Sequence, residues 1–305
     1  MRLVALLSSA ALSLCAGCAT THQANWQDKP AAPEASADAR ASALIAQADA
    51  LWEARADRAQ LEAAIAKWEE AAAAAPRAET AAKLARGHYL LGDGFMALAD
   101  DIVGRDAEYQ KGLDWATTAL KLSAPDFAAA MAGGAKHADV ITKAPKESVA
   151  AMYWYASNLG KWAASKGFAT RIKYKDDIKA TMLHVKSLDE SYFFAGPWRY
   201  FGAFEALTAG IAGGDLNKSK ENFAKAVTMA PSYLGTKVLW AELLCVKLQG
   251  DSDSDGNNDG KVQFQKLLDE VIAADANADP TIAPENGLEQ QKAKKLLAKI
   301  DDLFS

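Results

Sequence analysis

From about residue 39 to the end of the chain, apolar positions recur every three or four residues, the spacing of helices with one buried face and not the alternation of strands. Val and Ile are sparse, while Ala, Leu, Lys, Glu and Gln dominate; these side chains lose little freedom in a helix. The pattern is punctuated at Pro76, Gly92-Asp93-Gly94, Pro125, Gly133-Gly134, Pro145, Gly196-Pro197, Gly213-Gly214, Pro231, Gly250, Pro280 and Pro284. It predicts helices over 39–57, 60–75, 78–100, 106–122, 125–133, 146–166, 172–187, 197–212, 216–229, 232–249, 260–274 and 286–303. No strand is needed, so the fold class is all-α.

Short connections between such helices predict antiparallel neighbours, and the spacing of small and aromatic residues suggests repeats. Ala64, Trp68, Ala71 and Pro76 share the pattern of the second helix of a tetratricopeptide repeat, as do Ser219, Phe223, Ala226 and Pro231. Gly112, Ala116, Ala119 and Pro125 form a degenerate copy. Small residues let two helices approach, the aromatic fills the adjoining groove, and proline ends the helix. The expectation is tetratricopeptide-like hairpins forming a curved solenoid or bundle, with a generic Ala-rich bundle as the alternative.

Before residue 39 the pattern changes. Arg2 precedes an apolar run from Leu3 to Leu14, and Ala16-Gly17-Cys18 follows it with the small residues of a lipoprotein cleavage site. This predicts a signal peptide over 1–17, lipidation of Cys18, a flexible tether over 18–38 and a helical domain over 39–305. Three acyl chains on one cysteine suffice for stable anchoring. Ala19 after that cysteine favours the outer membrane, facing the periplasm, over the inner one. Trp26 stands out in the tether and could dip into lipid or dock on the domain.

Composition removes several function classes. A net charge of −5 with interspersed signs gives no basic patch for nucleic acid. Cys245, in an apolar helical stretch, reads as a small buried hydrophobe. His88, His137 and His184 show no metal-ligand spacing, and no nucleophile motif stands out, so the chain does not read as an enzyme. The run Arg171-Ile172-Lys173-Tyr174-Lys175 reads as a solvated helix start, or as a surface for an anionic partner.

Aromatic residues crowd two helix starts, 152–163 and 193–204, on more than one face and with Asn158 and Arg199 embedded among them. An apolar cavity with a few fixed polar groups is the usual form of a small-molecule site. Tyr155, Asn158, Trp162, Arg199 and Phe204 are the candidates for such a cavity. A buried Arg199 then calls for a counter-charge from Asp, Glu or a ligand carboxylate.

Four segments resemble the T component of tripartite ATP-independent periplasmic (TRAP) transporters: Ala150–Ala163, Pro197–Phe204, Gly213–Lys220 and Pro231–Val238. The likeness extends over about residues 45–300. It implies a periplasmic lipoprotein of tetratricopeptide-like helices that meets the transporter's substrate-binding protein. A hydrophobic channel through each subunit and a homotrimer are also implied by the resemblance alone.

The chain departs from that family at Asp251–Gly260. Asp251, Asp253, Asp255 and Asp259 stand at alternate or near-alternate positions with a glycine after the third, as in the first half of a calcium loop. Val262 replaces the closing bidentate Glu, so any calcium site is weak; a solvated acidic insertion is the other reading. The expected function is a non-catalytic accessory role in TRAP-type solute uptake. An envelope-assembly scaffold and an exported hydrolase are the alternatives.

Overall fold

In the computed structural model the described residues are 19–28, 35–210, 212–248, 250 and 258–305. They contain no β-strand, only an isolated bridge between Ala209 and Gly214. The helices are α1 (Ala35–Glu53), α2 (Arg58–Ala74), α3 (Ala78–Leu90), α4 (Ile102–Ser123), α5 (Pro125–Ala132), α6 (His137–Val140) and α7 (Val149–Ser165). Then follow α8 (Phe168–Leu188), α9 (Tyr192–Thr208), α10 (Leu216–Met229), α11 (Gly235–Leu243), α12 (Asp259–Ala273), α13 (Ala283–Leu297) and α14 (Ile300–Leu303). Side-chain caps define several starts. Asp57 accepts from the amides of Ala59 and Gln60, and Asp215 from those of Asn217 and Lys218. Each cap satisfies donors that have no partner within the helix.

Neighbouring helices pack in pairs: α1 on α2, α3 on α4, α7 on α8 and α9 on α10. The residues that suggested repeats make these contacts. Ala64, Trp68 and Ala71 are buried in the first pair, and Ser219, Phe223 and Ala226 in the last. A Cβ at Gly202 would lie 2.7 Å from the Phe223 ring, so α9 meets α10 through a missing side chain. The Ser219 hydroxyl donates to the Gly202 carbonyl at 2.7 Å in the same contact. Between pairs, α4 packs on α7, where Gly112 lies against the Asn158 amide group.

Three local features depart from the sequence expectations. First, Gly92-Asp93-Gly94 does not stop the helix. The backbone continues from α3 into a π-helical turn, Leu91–Met96. The glycines serve close packing instead: Tyr109 stands 3.1 Å from the Cβ position of Gly92, and Leu288 stands 2.7 Å from that of Gly94. Second, α9 opens with a left-handed turn. Phe193, Phe194 and Ala195 have φ of 45°, 57° and 56°, and regular helix begins at Gly196-Pro197. Three successive non-glycine residues in that region are strained unless their surroundings hold them.

Third, residues 19–28 lie along the domain although they fall in the expected tether. The Thr20 amide donates to Thr170 Oγ1 at 3.0 Å, and the His22 amide to the Tyr174 hydroxyl at 2.7 Å. Trp26 docks edge-on against Phe127, which decides between its two sequence readings. Elsewhere the chain closes on itself. In a solenoid each repeat touches only its neighbours, whereas here α13 returns to the N-terminal helices. Glu285 pairs with Arg55 at 2.9 Å and with Arg86 at 2.7 Å, and Leu288 joins the apolar cluster that contains Trp52 and Trp68 and packs on the π turn at Gly94.

Candidate functional site

This closure encloses a cleft. One lobe of about 430 Å³ lies among the π turn, α7, α11 and α13, and another of about 350 Å³ among α7, α8, α9 and α11. Tyr89, Lys161, Ala164, Arg199, Leu239 and Glu242 border both, so the two lobes are continuous. The first lobe is charged: Arg105, Lys161, Arg199, Lys292, Lys295 and Lys299 outnumber Asp93, Asp100, Glu242 and Glu289. The second is apolar, lined by Phe168, Ile172, Ile178, Met182, Tyr200, Phe204, Leu207 and Leu243.

The π turn places Asp93 at the heart of the charged lobe. Its carboxylate lies 2.5 Å from Lys161 Nζ and 2.7 Å from Lys292 Nζ, and the Tyr109 hydroxyl donates to it at 3.1 Å. Burial opposes the charge on Asp93, but the two ammonium groups outweigh burial and hold the carboxyl well below the usual range. Burial likewise opposes the charge on Lys161 and Lys292, and Asp93 keeps both protonated. The arrangement is a fixed charge triad with no group poised to exchange a proton near neutral pH. Sequence reading missed it because Asp93 sits between glycines that resemble a helix stop.

Arg199 stands where the lobes meet, 6 % exposed. Its Nη1 donates to the Phe194 carbonyl at 3.0 Å, and its Nη2 to the Tyr153 hydroxyl at 2.9 Å and the Phe193 carbonyl at 3.2 Å. Its guanidinium carbon lies 4.3 Å from the centre of the Tyr233 ring. The carbonyls come from the left-handed turn, and Pro197 has no N–H to donate to the Phe193 carbonyl. Of the three sources of counter-charge that the sequence left open, Asp, Glu or a ligand carboxylate, no protein carboxylate pairs with Arg199 among the described residues; its hydrogen-bond partners are neutral groups. Its charge is dispersed over oxygens and ring faces and remains unneutralised.

Of the five cavity candidates, Arg199 and Phe204 border the cleft. Tyr155, Asn158 and Trp162 lie in packed surroundings outside that lining. Tyr155 stacks on His137 at 5.1 Å. Asn158 donates to the carbonyls of Ala85 and Trp154, and Trp162 packs edge-on to His22 and Tyr174. The cleft stripe of α7 is instead Tyr153, Ser157, Gly160 and Ala164, with Lys161 beside it. Those residues share a face at helical spacing, but the small ones among them carry no sequence signal.

Other candidates resolve as structural or lie elsewhere. Cys245 is buried, and burial pushes its thiol up to about 12, which leaves it unreactive. The His184 Nε2–H donates to the Ala144 carbonyl at 2.8 Å. Cys18, Asp251, Asp253 and Asp255 lie outside the described residues. Asp259 begins α12, and its amide donates to the Gly250 carbonyl at 2.8 Å, which closes the mouth of the acidic loop. No group of three or more potential metal ligands occurs among the described residues, and no described helix is long and apolar enough to cross a membrane.

Fold and cleft together define an all-helical protein built around an amphipathic, ligand-sized cavity. Residues 105–304 match the TRAP transporter T-component family, and the chain belongs to that family. The matched region runs from α4 to the C-terminus and includes most of the cleft lining; α1–α3 and the π turn with Asp93 precede it. No curated protein matches the chain.

Proposed function

We propose that this T component is a non-catalytic, periplasm-facing lipoprotein, anchored through Cys18 at the outer membrane. It associates with the substrate-binding protein of its TRAP system and takes an amphipathic organic anion into the cleft. The observation that carries this reading is the buried, unneutralised Arg199 at the junction of a cation-rich lobe and an apolar one. A carboxylate head lying beside Arg199 meets a guanidinium that has no carboxylate partner among the described residues, while a hydrocarbon tail fills the lobe beyond Phe204. The tetratricopeptide-like spacing of the helix pairs and a homotrimeric assembly belong to the same proposal.

Affinity capture from membranes solubilised in mild detergent tests the partner. Recovery of a periplasmic substrate-binding protein is the expected result. Repeated recovery of envelope-assembly machinery alone favours the scaffold reading. Turnover in a hydrolase screen that disappears on a single Ser, His or Asp substitution favours an enzyme.

A further inference from the structure

The loop between α7 and α8 and the first turns of α8 expose large apolar side chains among basic ones. Lys166, Gly167, Phe168 and Ala169 are all exposed, followed by the exposed pair Ile172-Lys173. Phe168 is 56 % exposed and Ile172 40 %, one helical turn apart on one face. Lys166, Arg171, Lys173 and Lys175 surround them, and no acidic residue occurs between Lys166 and Lys175. Lys166 and Lys175 have only loose carboxylate neighbours, Asp106 at 3.6 Å and Asp176 at 3.5 Å. Arg171 and Lys173 have none among the described residues. Large apolar side chains exposed within a basic ring suit the boundary between lipid headgroups and acyl chains.

The N-terminal strap shows which surface meets this tip. Thr20 is hydrogen-bonded to Thr170, in the first turn of α8, and the Lys173 ammonium donates to Thr21 Oγ1. Cys18 is two residues before Thr20, and two residues of chain span at most about 7 Å in any conformation. A lipid attached to Cys18 must therefore enter its bilayer within a short reach of Phe168. His22 and Trp26 fasten the strap to the domain further along. The His22 Nε2–H donates to Asp114 at 2.8 Å, and Lys121 donates to the Asn25 carbonyl at 2.7 Å.

We propose that the α7–α8 tip, led by Phe168 and Ile172 and ringed by Lys166, Arg171 and Lys173, rests in the headgroup region of the bilayer that holds the Cys18 anchor. The inference rests on the lipoprotein reading above. It has a consequence for the cleft, because Phe168, Arg171, Ile172 and Lys175 also line the apolar lobe. That lobe then opens at the membrane surface, where amphipathic molecules are concentrated, and it is continuous with the charged lobe.

The test uses the full-length protein, expressed with its own leader, purified from membranes and reconstituted into vesicles of phosphatidylethanolamine and phosphatidylglycerol. Cys245 is buried and Cys18 is consumed by lipidation, so Phe168→Cys supplies one reactive thiol for an environment-sensitive fluorophore. Val262→Cys, on the exposed face of α12, is the comparison. The expected result is a blue shift with emission about twofold higher at position 168 than at position 262, together with quenching by spin-labelled lipid at 168 alone. Arg171→Gln, combined with the 168 label, should reduce the dependence of that signal on phosphatidylglycerol. An acylated, vesicle-bound protein whose 168 probe stays as aqueous as the 262 probe overturns the orientation while leaving the anchor intact. Mass spectrometry showing an unmodified Cys18 overturns both.

Discussion

The Tyr153 hydroxyl accepts a hydrogen bond from Arg199 Nη2 at 2.9 Å, which ties α7 to α9 where the two lobes of the cleft meet. Arg199 also holds the carbonyls of Phe193 and Phe194, so one guanidinium supports a left-handed turn and presents charge to the cavity. Its structural part can be separated from its binding part. Arg199→Met leaves buried carbonyls unpaired and should destabilise the fold by about 1–3 kcal/mol. Tyr153→Phe removes one acceptor and should cost about 1 kcal/mol. Urea unfolding of the two variants checks the order; a larger loss for Tyr153→Phe would contradict this assignment.

Asp93 holds two ammonium groups together, so Asp93→Asn leaves Lys161 and Lys292 repelling one another in a confined space. Lys161 is 37 % exposed, so the loss should fall below the roughly 3–5 kcal/mol of a broken, fully buried ion pair, at about 2 kcal/mol. Restoring half of that loss in Asp93→Asn/Lys161→Gln is the expected sign of coupling. Additive losses in the double variant would show that the triad is not a unit.

Two buried histidines give stability opposite dependences on pH. For His137 the cause is burial, which lowers its pKa from 6.5 to about 4. Below pH 6.5 the unfolded chain takes up a proton that the folded one refuses, so His137 costs stability as pH falls, up to about 3 kcal/mol near pH 4. For His88 burial acts in the same direction, but Glu108 at 2.7 Å and Glu69 at 3.5 Å outweigh it and raise the pKa. Its stabilisation is complete below pH 6.5 and is lost as pH rises through the folded value. Stability differences from His137→Gln should therefore shrink on acidification, and those from His88→Gln on alkalinisation. Chemical denaturation from pH 4.5 to 9 reads both, and parallel profiles would contradict them.

Weak calcium binding at Asp251, Asp253, Asp255 and Asp259 is a proposal from their spacing, with the Gly250–Asp259 backbone bond holding the loop's mouth. Millimolar calcium should raise the melting temperature relative to chelator, equivalent to at most about 1–3 kcal/mol, and Asp253→Ala should abolish the rise. Coincident melts would make the loop a hydrophilic insertion.

Most helices were legible because their apolar period, caps and prolines agree: α2 and α10 lie within a residue or two of their expected bounds. The π turn was not legible, because glycines at 92 and 94 signal a break unless the partners that crowd them, Tyr109 and Leu288, are known. The cleft was legible only in part. Bulky side chains such as Tyr155 and Trp162 draw attention in a sequence, but large rings also fill cores, and these two do. A cavity wall needs room, so α7 builds it from Ser157, Gly160 and Ala164, residues without a signature of their own. The closure by α13 depends on Arg55 and Glu285, 230 positions apart, a pairing that no local pattern encodes.

The central claim is that an amphipathic anion occupies the cleft with its head beside Arg199 and its tail in the apolar lobe. Native mass spectrometry of protein purified without detergent, comparing wild type with Leu207→Trp, tests it most directly. Leu207 lines the apolar lobe and makes none of the Arg199 contacts, so a tryptophan there fills space without removing charge. The account predicts a co-purifying small organic acid on the wild type and its loss from a folded Leu207→Trp variant. A wild type that carries no ligand and binds none when offered long-chain carboxylates, or a ligand retained unchanged by Leu207→Trp, would contradict it.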